Sequence, residues 1–525
     1  MTDRVEHASS KRFRFSQSAV LKACIFATGL AGIVAEYVMA TLASYLLGNA
    51  VVQWTVVISL MLFAMGLGSR LSKNAQNALL DYFIGVELAL SVLCAISALF
   101  IYAATSYIQS IDFLIYLIAI SIGLLIGFEV PLVTRLNSYF EELRINISSV
   151  MEKDYYGALV GGILFAFIAL PMLGMTYTPI VLGAINFLVA TVLFLQHRHA
   201  LKYSRRFAVL FAAMPVFFVG LFWSAKPVML FSEQQNYRDK VVYEQQTPYQ
   251  KIVITKWKNH YWLYLNRGLQ FSSYDEAKYH EPLVHPAMTF RKSHKNILVL
   301  GGGDGLAVRE ILKYSNVERV VLVDIDPAMA ELGKGNQIFL RLNKGALSDP
   351  RVQVINADGY IFLQQTDEIF DVIFIDLPDP KSVDLARLYS KQFYQLAAKQ
   401  LSVGGVLVTQ ATSPFFAQKA FLCIIKTMSA AGLQALPYHN NIPTMGEWGW
   451  VLGVKSAGMD TLQLKSTFAR LQFEQAETRF LNQGIMGAML QFGKGVFEQL
   501  PEIEINDEYN LILFQYYQKG EWDFY

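Results

Sequence analysis

Charged residues are scarce in this chain of 525 residues, because Asp, Glu, Lys and Arg together make up only 16% of it, against about 25% in soluble domains. Cysteine is scarcer still, and Cys24, Cys94 and Cys423 lie too far apart for a disulfide framework or a metal-spaced cluster. No charge is in excess, since 44 Lys and Arg oppose 42 Asp and Glu. These deficits exclude an ordinary soluble globule and give no sign of a nucleic-acid partner.

Apolar residues, in contrast, make up 54% of the chain, which excludes intrinsic disorder. Nearly all of the excess precedes Trp223. The hydrocarbon core of a bilayer is about 30 Å thick and needs an apolar helix of about 20 residues. The sequence therefore predicts an α-helical multi-pass membrane bundle of about seven helices over residues 21–224, after a cytoplasmic tail over residues 1–20. The seven candidate runs are Leu21–Leu47, Val51–Leu67, Leu80–Ala103, Ile111–Val133, Tyr156–Leu173, Pro179–Leu195 and Phe207–Trp223.

Lysine and arginine occupy alternate loops between these runs. The intervening turns, Gly48–Ala50, Ala104–Ser110 and Gly174–Thr178, contain neither residue. The positive-inside rule therefore predicts a cytoplasmic N-terminus. The basic residues are Arg4, Lys11, Arg12 and Arg14 in the tail, and Arg70, Lys73, Arg135, Arg144, Lys153, Arg198, Lys202, Arg205 and Arg206 in the loops.

The last run, Phe207–Trp223, decides on which side the rest of the chain lies. If it spans, seven crossings place everything after it outside; if it is re-entrant or interfacial, the rest stays in the cytoplasm. Because the run is short, the sequence leaves both open. We favour the cytoplasm for the rest of the chain, since loop charge orients helices more reliably than it proves that a short run spans. The expected location is the cell (inner) membrane.

Three acidic residues, Glu36, Glu87 and Glu129, interrupt the apolar runs. Acids within membrane helices usually face a bundle interior, and they often mark a path for cations or protons. One interpretation is therefore a cation-binding site in the bundle. The other is a set of protonated or paired acids that hold the helices together.

The pattern changes after Trp223. Short β-like stretches at Val241–Tyr243, Lys251–Thr255 and Tyr261–Leu265, with turn residues between them, predict a small antiparallel β domain over residues 225–290. Strands then alternate with helices, which predicts a Rossmann-like α/β domain of the methyltransferase type over residues 291–525. The predicted strands are Asn296–Leu300, Arg319–Val323, Val352–Ile355, Asp371–Ile375 and Gly405–Thr409.

A glycine-rich loop, G-G-G-D-G at Gly301–Gly305, follows the first of these strands and precedes a helix. Glycines such as Gly301 and Gly303 let the backbone approach a ligand, and Asp324 follows at the distance expected of a ribose-binding acid. The alternative is a structural turn with a solvent-facing Asp324. Asp304 would repel the carboxylate of S-adenosylmethionine and suits a ligand whose tail carries only an amine, unless it merely caps the helix.

Further acids follow the next strands, with Asp358 after the third and Asp376 and Asp379 after the fourth. Because ligands of open parallel sheets bind at the carboxyl ends of the strands, these acids and the two before them predict a pocket of negative potential.

The motifs together resemble one family. D-E-A-K-Y-H-E-P-L-V-H-P at Asp275–Pro286, then N-I-L-V-L-G-G-G-D-G, D-P-R-V-Q-V-I-N-A-D-G, F-D-V-I-F-I-D-L-P-D-P and G-G-V-L-V-T-Q-A-T-S-P-F, are similar to the polyamine aminopropyltransferases, the spermidine synthase family. The likeness runs from Tyr243 to Ile442 in the same order. The whole chain is similar to the branch of that family in which membrane helices precede the synthase domain.

The resemblance implies transfer of the aminopropyl group of decarboxylated S-adenosylmethionine, as co-substrate, to a diamine such as putrescine, giving spermidine and 5′-methylthioadenosine. No metal is implied, since the sulfonium is already an activated leaving group. Small-molecule substrates and the bilayer are the implied partners, and a homo-oligomer is left open. The implied roles are Asp376 as base; Tyr279, His280, Asp304 and Asp379 at the polyamine and aminopropyl groups; and Gln250, Asp324, Asp358 and Gly359 at the nucleoside, beside Gly301 and Gly303.

The amine side departs from the family pattern. The fourth strand is followed by D-L-P-D rather than D-S-T-D, Val383 replaces a proline, and Met445 replaces the tyrosine of I-P-T-Y. The identity of the acceptor amine is therefore left open. So is a polyamine transporter or sensor whose synthase-like domain binds ligand without turnover. A third possibility, a methyltransferase on the same fold, is disfavoured by Asp304.

Overall fold

The computed structural model describes residues 2–47, 50–105, 107–108, 110–455, 458 and 460–522, without the side chains of residues 2–16 and 50. Gly48 and Asn49 of the first predicted turn therefore lie outside the described residues, as do the side chains of the basic tail. The chain forms two compact units, Met1–Arg238 and Asp239–Tyr525.

The first unit is helical throughout its described part. Its apolar residues form long helices joined by short turns, as the hydropathy of the sequence predicts. The helices are α1 Thr2–Leu47, α2 Ala50–Leu71, α3 Leu79–Thr105, α4 Ile111–Asn137, α5 Leu143–Leu164, α6 Gly174–His197 and α7 Ser204–Gln235, with a 3₁₀ turn at Ser72–Asn74 and a π-helical segment at Phe165–Leu173.

Six helical stretches in the described residues are long and apolar enough to cross a membrane, rather than the predicted seven. The difference lies in Leu143–His197, a stretch of 55 residues that contains two of the predicted runs. This stretch is not a straight rod. Gly174 has a φ of +61°, and the Thr178 hydroxyl donates to the Ala169 carbonyl at 3.2 Å, whereas nine residues of straight helix span about 13.5 Å. The helix therefore bends sharply at Gly174.

Small residues set the packing of α1 against α5. A Cβ added to Gly157 would collide with the Phe26 carbonyl, and one added to Gly161 would lie 2.6 Å from the Leu30 carbonyl oxygen. Because the two residue numbers rise together, the two helices run in the same direction. The Lys22 ammonium lies 2.5 Å from the Glu141 carboxylate, so the turn before α5 lies beside the start of the apolar part of α1, Gln17–Leu47.

The ends of α3 fix the direction of α7. At the start of α3, the Asp81 carboxylate accepts the backbone N–H of Tyr203 at 3.0 Å. At its end, the Ser232 hydroxyl donates to the Tyr102 carbonyl at 2.6 Å. Helix α7 therefore follows α3 from one end to the other, so the predicted run Phe207–Trp223 belongs to a helix as long as its neighbours.

The last turns of α1, α3 and α7 lie at one end of the first unit. The ring of Tyr45, near the end of α1, lies 6.5 Å from the ring of Tyr102, whose carbonyl is bound by Ser232 of α7. The chain thus leaves the helical unit at the end where α1 finishes, opposite the end where α1 begins.

The three intramembrane acids are buried among the helices. Glu36, Glu87 and Glu129 are 7%, 0% and 3% exposed, and the carboxyl groups of Glu87 and Glu129 lie close enough to interact. All three therefore face the interior of the helical unit. The proximity of Glu87 to Glu129 links α3 to α4, as the second interpretation of these acids expects.

The second unit begins with the predicted small antiparallel sheet, which the structure confirms. Its four strands follow one another in the sheet in chain order, and it contains one strand more than the sequence indicated. The strands are β1 Lys240–Gln246, β2 Lys251–Trp257, β3 His260–Leu265 and β4 Gly268–Ser272.

A seven-stranded mixed sheet with helices on its faces follows, and it confirms the Rossmann-like prediction. Its order is β10-β11-β9-β8-β5-β6-β7, with β9 to β7 parallel and β10 and β11 antiparallel. The strands are β5 Asn296–Gly301, β6 Arg319–Asp324, β7 Val352–Asn356, β8 Phe370–Asp376, β9 Leu401–Gln410, β10 Gln434–Ile442 and β11 Gly446–Val454.

The helices of this unit cover two buried faces of the sheet. They are α8 Ala277–Phe290, α9 Leu306–Ile311, α10 Pro327–Gly335, α11 Gln337–Asn343, α12 Gly359–Gln365, α13 Val383–Arg387, α14 Lys391–Lys399, α15 Gln418–Ala430, α16 Thr461–Ala469, α17 Gln483–Met489 and α18 Ile512–Gln518, with 3₁₀ turns at Ala346–Ser348 and Leu500–Glu502.

Strand order locates the site. The chain order of the strands reverses beside β5, which pairs with β6 on one side and β8 on the other. In open sheets, the crevice at such a reversal, outside the carboxyl ends of the strands, is where ligands bind. The loops after β5, β6, β7 and β8 all emerge at this edge.

Candidate active site

The glycine loop after β5 passes closely between two strand ends. Gly301 has a φ of +82°, and a Cβ there would collide with the Asp376 carbonyl at the end of β8. A Cβ at Gly303 would lie 2.6 Å from Oδ2 of Asp324, at the end of β6. Glycine is thus required at both positions, since it alone lacks the colliding atom, and at Gly301 it also takes the positive φ at little cost.

Asp324 is buried, 9% exposed, so the alternative of a solvent-facing side chain is wrong. Its Oδ2 accepts the Gly303 N–H at 3.0 Å and its Oδ1 accepts the Asp326 N–H at 2.9 Å. Burial raises the pKa of Asp324 to about 6, against the two backbone hydrogen bonds, which lower it. Asp324 therefore fixes the glycine loop from the end of β6.

The other predicted nucleoside residues lie at the same edge of the sheet. Gln250, from the turn before β2, donates through Nε2 to Oδ2 of Asp326 at 2.9 Å. Asp358 follows β7 and accepts the Tyr360 N–H at 2.7 Å, so that it caps α12, whose first residue is Gly359. Side chains from β6, β7 and the antiparallel sheet thus meet around the end of β6.

Asp304 caps its helix and also belongs to an acidic cluster. Its Oδ1 accepts the Leu306 N–H at 2.7 Å, as the capping alternative expects. Burial raises the pKa of Asp304 to about 6; the charge of His280 opposes this rise, and the carboxylates of Asp376 and Asp324 add to it. The two interpretations of Asp304 are therefore compatible.

Asp376 ends β8 and accepts a hydrogen bond from the Tyr279 hydroxyl on Oδ1 at 2.8 Å. Burial raises the pKa of Asp376, while the charge of His280 and the Tyr279 hydrogen bond oppose the rise. Burial and the neighbouring Asp376 carboxylate raise the pKa of Tyr279 well above its usual value, so the phenol remains a neutral donor. A carboxylate with a raised pKa is a stronger proton acceptor than an ordinary one.

His280 is a buried imidazole behind this cluster, 2% exposed. Its Nδ1 lies 3.1 Å from Oε2 of Glu276, which the Arg309 guanidinium also binds at 2.8 Å. Burial lowers the pKa of His280, but Glu276, Asp304 and Asp376 raise it overall. The sequence placed His280 at the polyamine; the structure commits its Nδ1 to Glu276 and brings its ring beside the two acids. Arg309 was missed because it lies 33 residues from Glu276, whereas the spacing of four residues between Glu276 and His280 is a signal that could have found their contact.

Asp379 is held by residues that the sequence analysis did not select. Its Oδ2 accepts the Tyr517 hydroxyl at 2.9 Å, and its Oδ1 accepts Nε2 of Gln410 at 3.3 Å. Gln410 also contacts the Tyr389 hydroxyl at 2.6 Å. Gln410 ends β9, so the strand-end rule that selected the acids would have found it. No sequence signal points to Tyr517.

This edge of the sheet thus carries several carboxylates that are buried or half-buried. Burial and mutual repulsion raise the pKa of Asp304 and Asp324, and burial raises those of Asp376 and Asp379. A bound ammonium or sulfonium would favour the charged forms of these groups. The arrangement is therefore suited to cationic ligands, with a neutral phenol and a proton acceptor side by side.

Comparison with known proteins agrees with this chemistry. The spermine/spermidine synthase domain family matches residues 276–466. Polyamine aminopropyltransferase 2 of Aquifex aeolicus is 41% identical over 508 residues, covering 96% of this chain and 99% of that protein. A polyamine aminopropyltransferase of Leptospira interrogans is 38% identical over 496 residues, covering 94% and 96%. Both alignments therefore include the helical unit.

Among solved structures, spermidine synthase from Thermotoga maritima matches with a TM-score of 0.44 and 26% identity, over 50% of this chain and 88% of that one. A spermidine synthase in complex with the transition-state analogue AdoDATO matches with a TM-score of 0.45 and 25% identity, over the same shares.

Proposed function

The chain belongs to the spermine/spermidine synthase family of polyamine aminopropyltransferases, and from that premise we propose that it transfers an aminopropyl group to putrescine or a similar diamine. Decarboxylated S-adenosylmethionine is the co-substrate of the family. The products are spermidine and 5′-methylthioadenosine. The observation that carries the proposal is the pairing of Asp376 with Tyr279 at 2.8 Å, beside the glycine loop.

The chemistry follows from these positions. Asp376 takes a proton from the attacking ammonium, because only the neutral amine has a free electron pair. The nitrogen then forms a bond to the carbon beside the sulfonium, and the carbon–sulfur bond breaks. Its electron pair returns to sulfur, which becomes the neutral thioether of methylthioadenosine. Tyr279 orients the Asp376 carboxylate during this step.

The remaining roles are assigned by position. Asp304 binds the ammonium of the aminopropyl group, which its location beside Asp376 and Asp324 supports. Asp379 binds the far ammonium of the diamine. Gln250 and Asp358 contact the nucleoside, together with Asp324 and the glycine loop, because these side chains lie around the end of β6.

The helical unit is proposed as a membrane domain whose seven helices each cross once. The sharp bend at Gly174 supports two crossings within Leu143–His197. The turn before α5 lies beside the start of the apolar part of α1. Basic residues concentrate in the turns at this end of the helical unit. The positive-inside rule therefore favours a cytoplasmic start for α1.

Helix direction then favours an extracytoplasmic synthase unit, the opposite of the placement preferred from sequence. The last turns of α1, α3 and α7 lie at one end, so the chain leaves the bundle on the far side from the start of α1. Alkaline phosphatase fused after residue 525 is expected to be active in cells, and a green fluorescent protein fusion dark. A fluorescent green fluorescent protein fusion together with an inactive alkaline phosphatase fusion would contradict this topology.

The activity is tested on the purified full-length protein in detergent. With decarboxylated S-adenosylmethionine and putrescine present together, the protein is expected to release methylthioadenosine and spermidine in equal amounts. The departures on the amine side motivate the alternative of a transporter or sensor. Saturable binding of putrescine without methylthioadenosine release would contradict turnover and favour that alternative.

A further inference from the structure

The C-terminal segment returns to the candidate site. The family domain matches residues 276–466, and Tyr517 lies on α18, well beyond it. The Tyr517 hydroxyl nevertheless donates to Oδ2 of Asp379 at 2.9 Å, across 138 residues of sequence. A residue outside the matched domain thus touches the carboxylate assigned to the diamine.

Burial, ring packing and nearby hydrogen bonds hold the Tyr517 side chain in place. Its side chain is 6% exposed, and its ring lies 4.8 Å from that of Trp522. The Trp522 indole N–H donates to the Tyr517 carbonyl at 3.0 Å, and the Glu521 N–H donates to the Phe416 carbonyl at 2.7 Å. Residues 521 and 522, after α18, are therefore hydrogen-bonded to the loop that follows β9 and to Tyr517 itself.

The start of α18 is anchored as well. Leu513 is fully buried, and its N–H donates to Oδ1 of Asn506 at 3.3 Å. Asn506, itself fully buried, donates through Nδ2 to the Ala386 carbonyl at 2.8 Å. Both ends of α18 are thus bound to the core of the synthase unit, so the Tyr517 hydroxyl approaches Asp379 from a fixed direction.

Two donors from different segments bind the two oxygens of Asp379. Tyr517 binds Oδ2 and Gln410 binds Oδ1. Paired donors fix the plane of a carboxylate and favour its charged form. The buried Thr412, which follows β9, adds a further side-chain hydrogen bond to the same carboxylate, whereas Leu377 and Pro378 beside it bear no hydroxyl.

We propose that Tyr517 is a positioning residue that orients Asp379 toward the far ammonium of the diamine, so that the C-terminal helix helps to determine which amine is accepted. This inference rests on the function proposed above. Tyr517 acts through Asp379 and takes no part in the proton transfer to Asp376. Its effect is therefore expected on the amine substrate alone.

The test is Tyr517→Phe, which removes one hydroxyl and keeps the ring that packs on Trp522. Tyr516→Phe is the matched control, because the Tyr516 hydroxyl on the same helix meets the Glu504 N–H at 3.4 Å, away from Asp379. In the full-length enzyme, Tyr517→Phe is expected to raise KM for the diamine about tenfold or more, as the loss of a hydrogen bond to a charged group does. KM for decarboxylated S-adenosylmethionine and kcat stay near the wild-type values.

A pH profile separates this role from a structural one. Burial raises the pKa of Asp379, while Lys381, Tyr517, Gln410 and Thr412 lower it; Tyr389 and Tyr279 also face this carboxylate. Removing the Tyr517 hydroxyl raises this pKa further, so Asp379 becomes protonated at a higher pH. As the pH is lowered, diamine binding by Tyr517→Phe is thus expected to weaken at a higher pH than diamine binding by the wild type.

Three outcomes overturn the inference. They are an unchanged diamine KM and pH profile in Tyr517→Phe, an equal loss for both substrates, and an equal effect in Tyr516→Phe. A wild-type protein that releases no methylthioadenosine contradicts the proposed function instead. The wild-type protein alone gives that result, so a failure of the proposed function is distinguished from a failure of the role of Tyr517.

Discussion

The nucleoside side of the site is built mainly from loops that follow β5, β6 and β7, joined by Gln250 from the turn before β2, whereas the amine side collects Tyr279, Gln410 and Tyr517 from three distant parts of the chain. On the nucleoside side, Asp324 binds the Gly303 N–H, 21 residues away. On the amine side, the donors to Asp376 and Asp379 lie 97, 31 and 138 residues away. Apart from Gln250, the nucleoside side thus depends on loops after neighbouring strands, whereas the amine side depends on packing between distant segments of the chain.

The division suggests where substrate preference can change. A loop between a strand and its helix cannot lose its glycines, because a Cβ at Gly301 or Gly303 meets neighbouring strand ends. The donors to Asp379, in contrast, come from segments that can be replaced separately. Changes on the amine side can therefore redirect the enzyme to another acceptor while the nucleoside is still bound. The predictions below test this separation, from the largest expected effect to the smallest.

Asp376→Asn should have the largest effect. The variant cannot accept a proton, so kcat is expected to fall by about 10² to 10⁴, the usual contribution of a general base. Methylthioadenosine affinity, measured by calorimetry, should change little, because nucleoside contacts lie around β6. Asp384→Asn is the control, as Asp384 is an exposed acid on α13. A variant with wild-type kcat would refute the base assignment.

Gly303→Ala should damage the nucleoside side. The new Cβ would lie 2.6 Å from Oδ2 of Asp324 and 3.0 Å from the Met329 side chain. Overpacking of this kind costs about 1–3 kcal/mol, and we expect methylthioadenosine to bind about tenfold more weakly. Gly335→Ala is the control, since a Cβ there meets no atom within 4 Å. Equal affinities for the two variants would show that the loop does not bind the nucleoside.

Asp304→Asn should change the choice of nucleoside. Without the Asp304 charge, KM for decarboxylated S-adenosylmethionine is expected to rise about tenfold, the effect of losing a hydrogen bond to a charged group. Intact S-adenosylmethionine, whose carboxylate is no longer repelled, should bind more tightly than to the wild type. Competition measurements with both nucleosides give the two affinities. Weaker binding of both would mean that Asp304 acts only as the helix cap.

Proton release on ligand binding should be the smallest effect. Asp304 and Asp324 have pKa values raised to about 6, so both are partly protonated near pH 6. A bound cation lowers these pKa values and expels the protons, hence cation affinity rises as the pH increases through about 6. Calorimetry in buffers of different ionisation enthalpy should detect release near pH 6 and little near pH 8. Equal release at both values would contradict the assignment.

The same raised pKa values affect stability. Between the ordinary pKa of an aspartate and about 6, the folded protein holds protons on Asp304 and Asp324 that the unfolded chain has lost. These two groups therefore stabilise the ligand-free fold as the pH falls from about 7 toward 4, and they destabilise it above about 6. Glu310 acts in the opposite sense, because His285 and Arg309 help to lower its pKa to about 2 despite burial.

The parts predicted from sequence are those encoded locally. Gly301–Gly305, Asp324, Asp358 and Asp376 follow strands whose apolar residues are recognisable, and parallel strands bring their carboxyl ends together. The contacts of Glu276 with Arg309, and of Asp379 with Tyr517, depend on packing between distant segments that no periodicity reveals.

The helical unit shows the same limit. Hydropathy located its apolar runs, and the turn predicted at Gly174–Thr178 coincides with the bend at Gly174. The direction of α7 could not be predicted, because it depends on the Asp81 and Ser232 contacts at the two ends of α3. The last apolar run was predicted to end at Trp223, whereas α7 continues to Gln235.

The separation of the two sides is tested most directly by steady-state methylthioadenosine release from the wild type and from Asp379→Asn, with both substrates varied. The account predicts an active wild type and a variant whose KM for the diamine rises about tenfold or more, since it loses a charged partner. Its KM for decarboxylated S-adenosylmethionine should stay near the wild-type value. Equal increases in the two KM values, or a wild type that releases no methylthioadenosine, would contradict it.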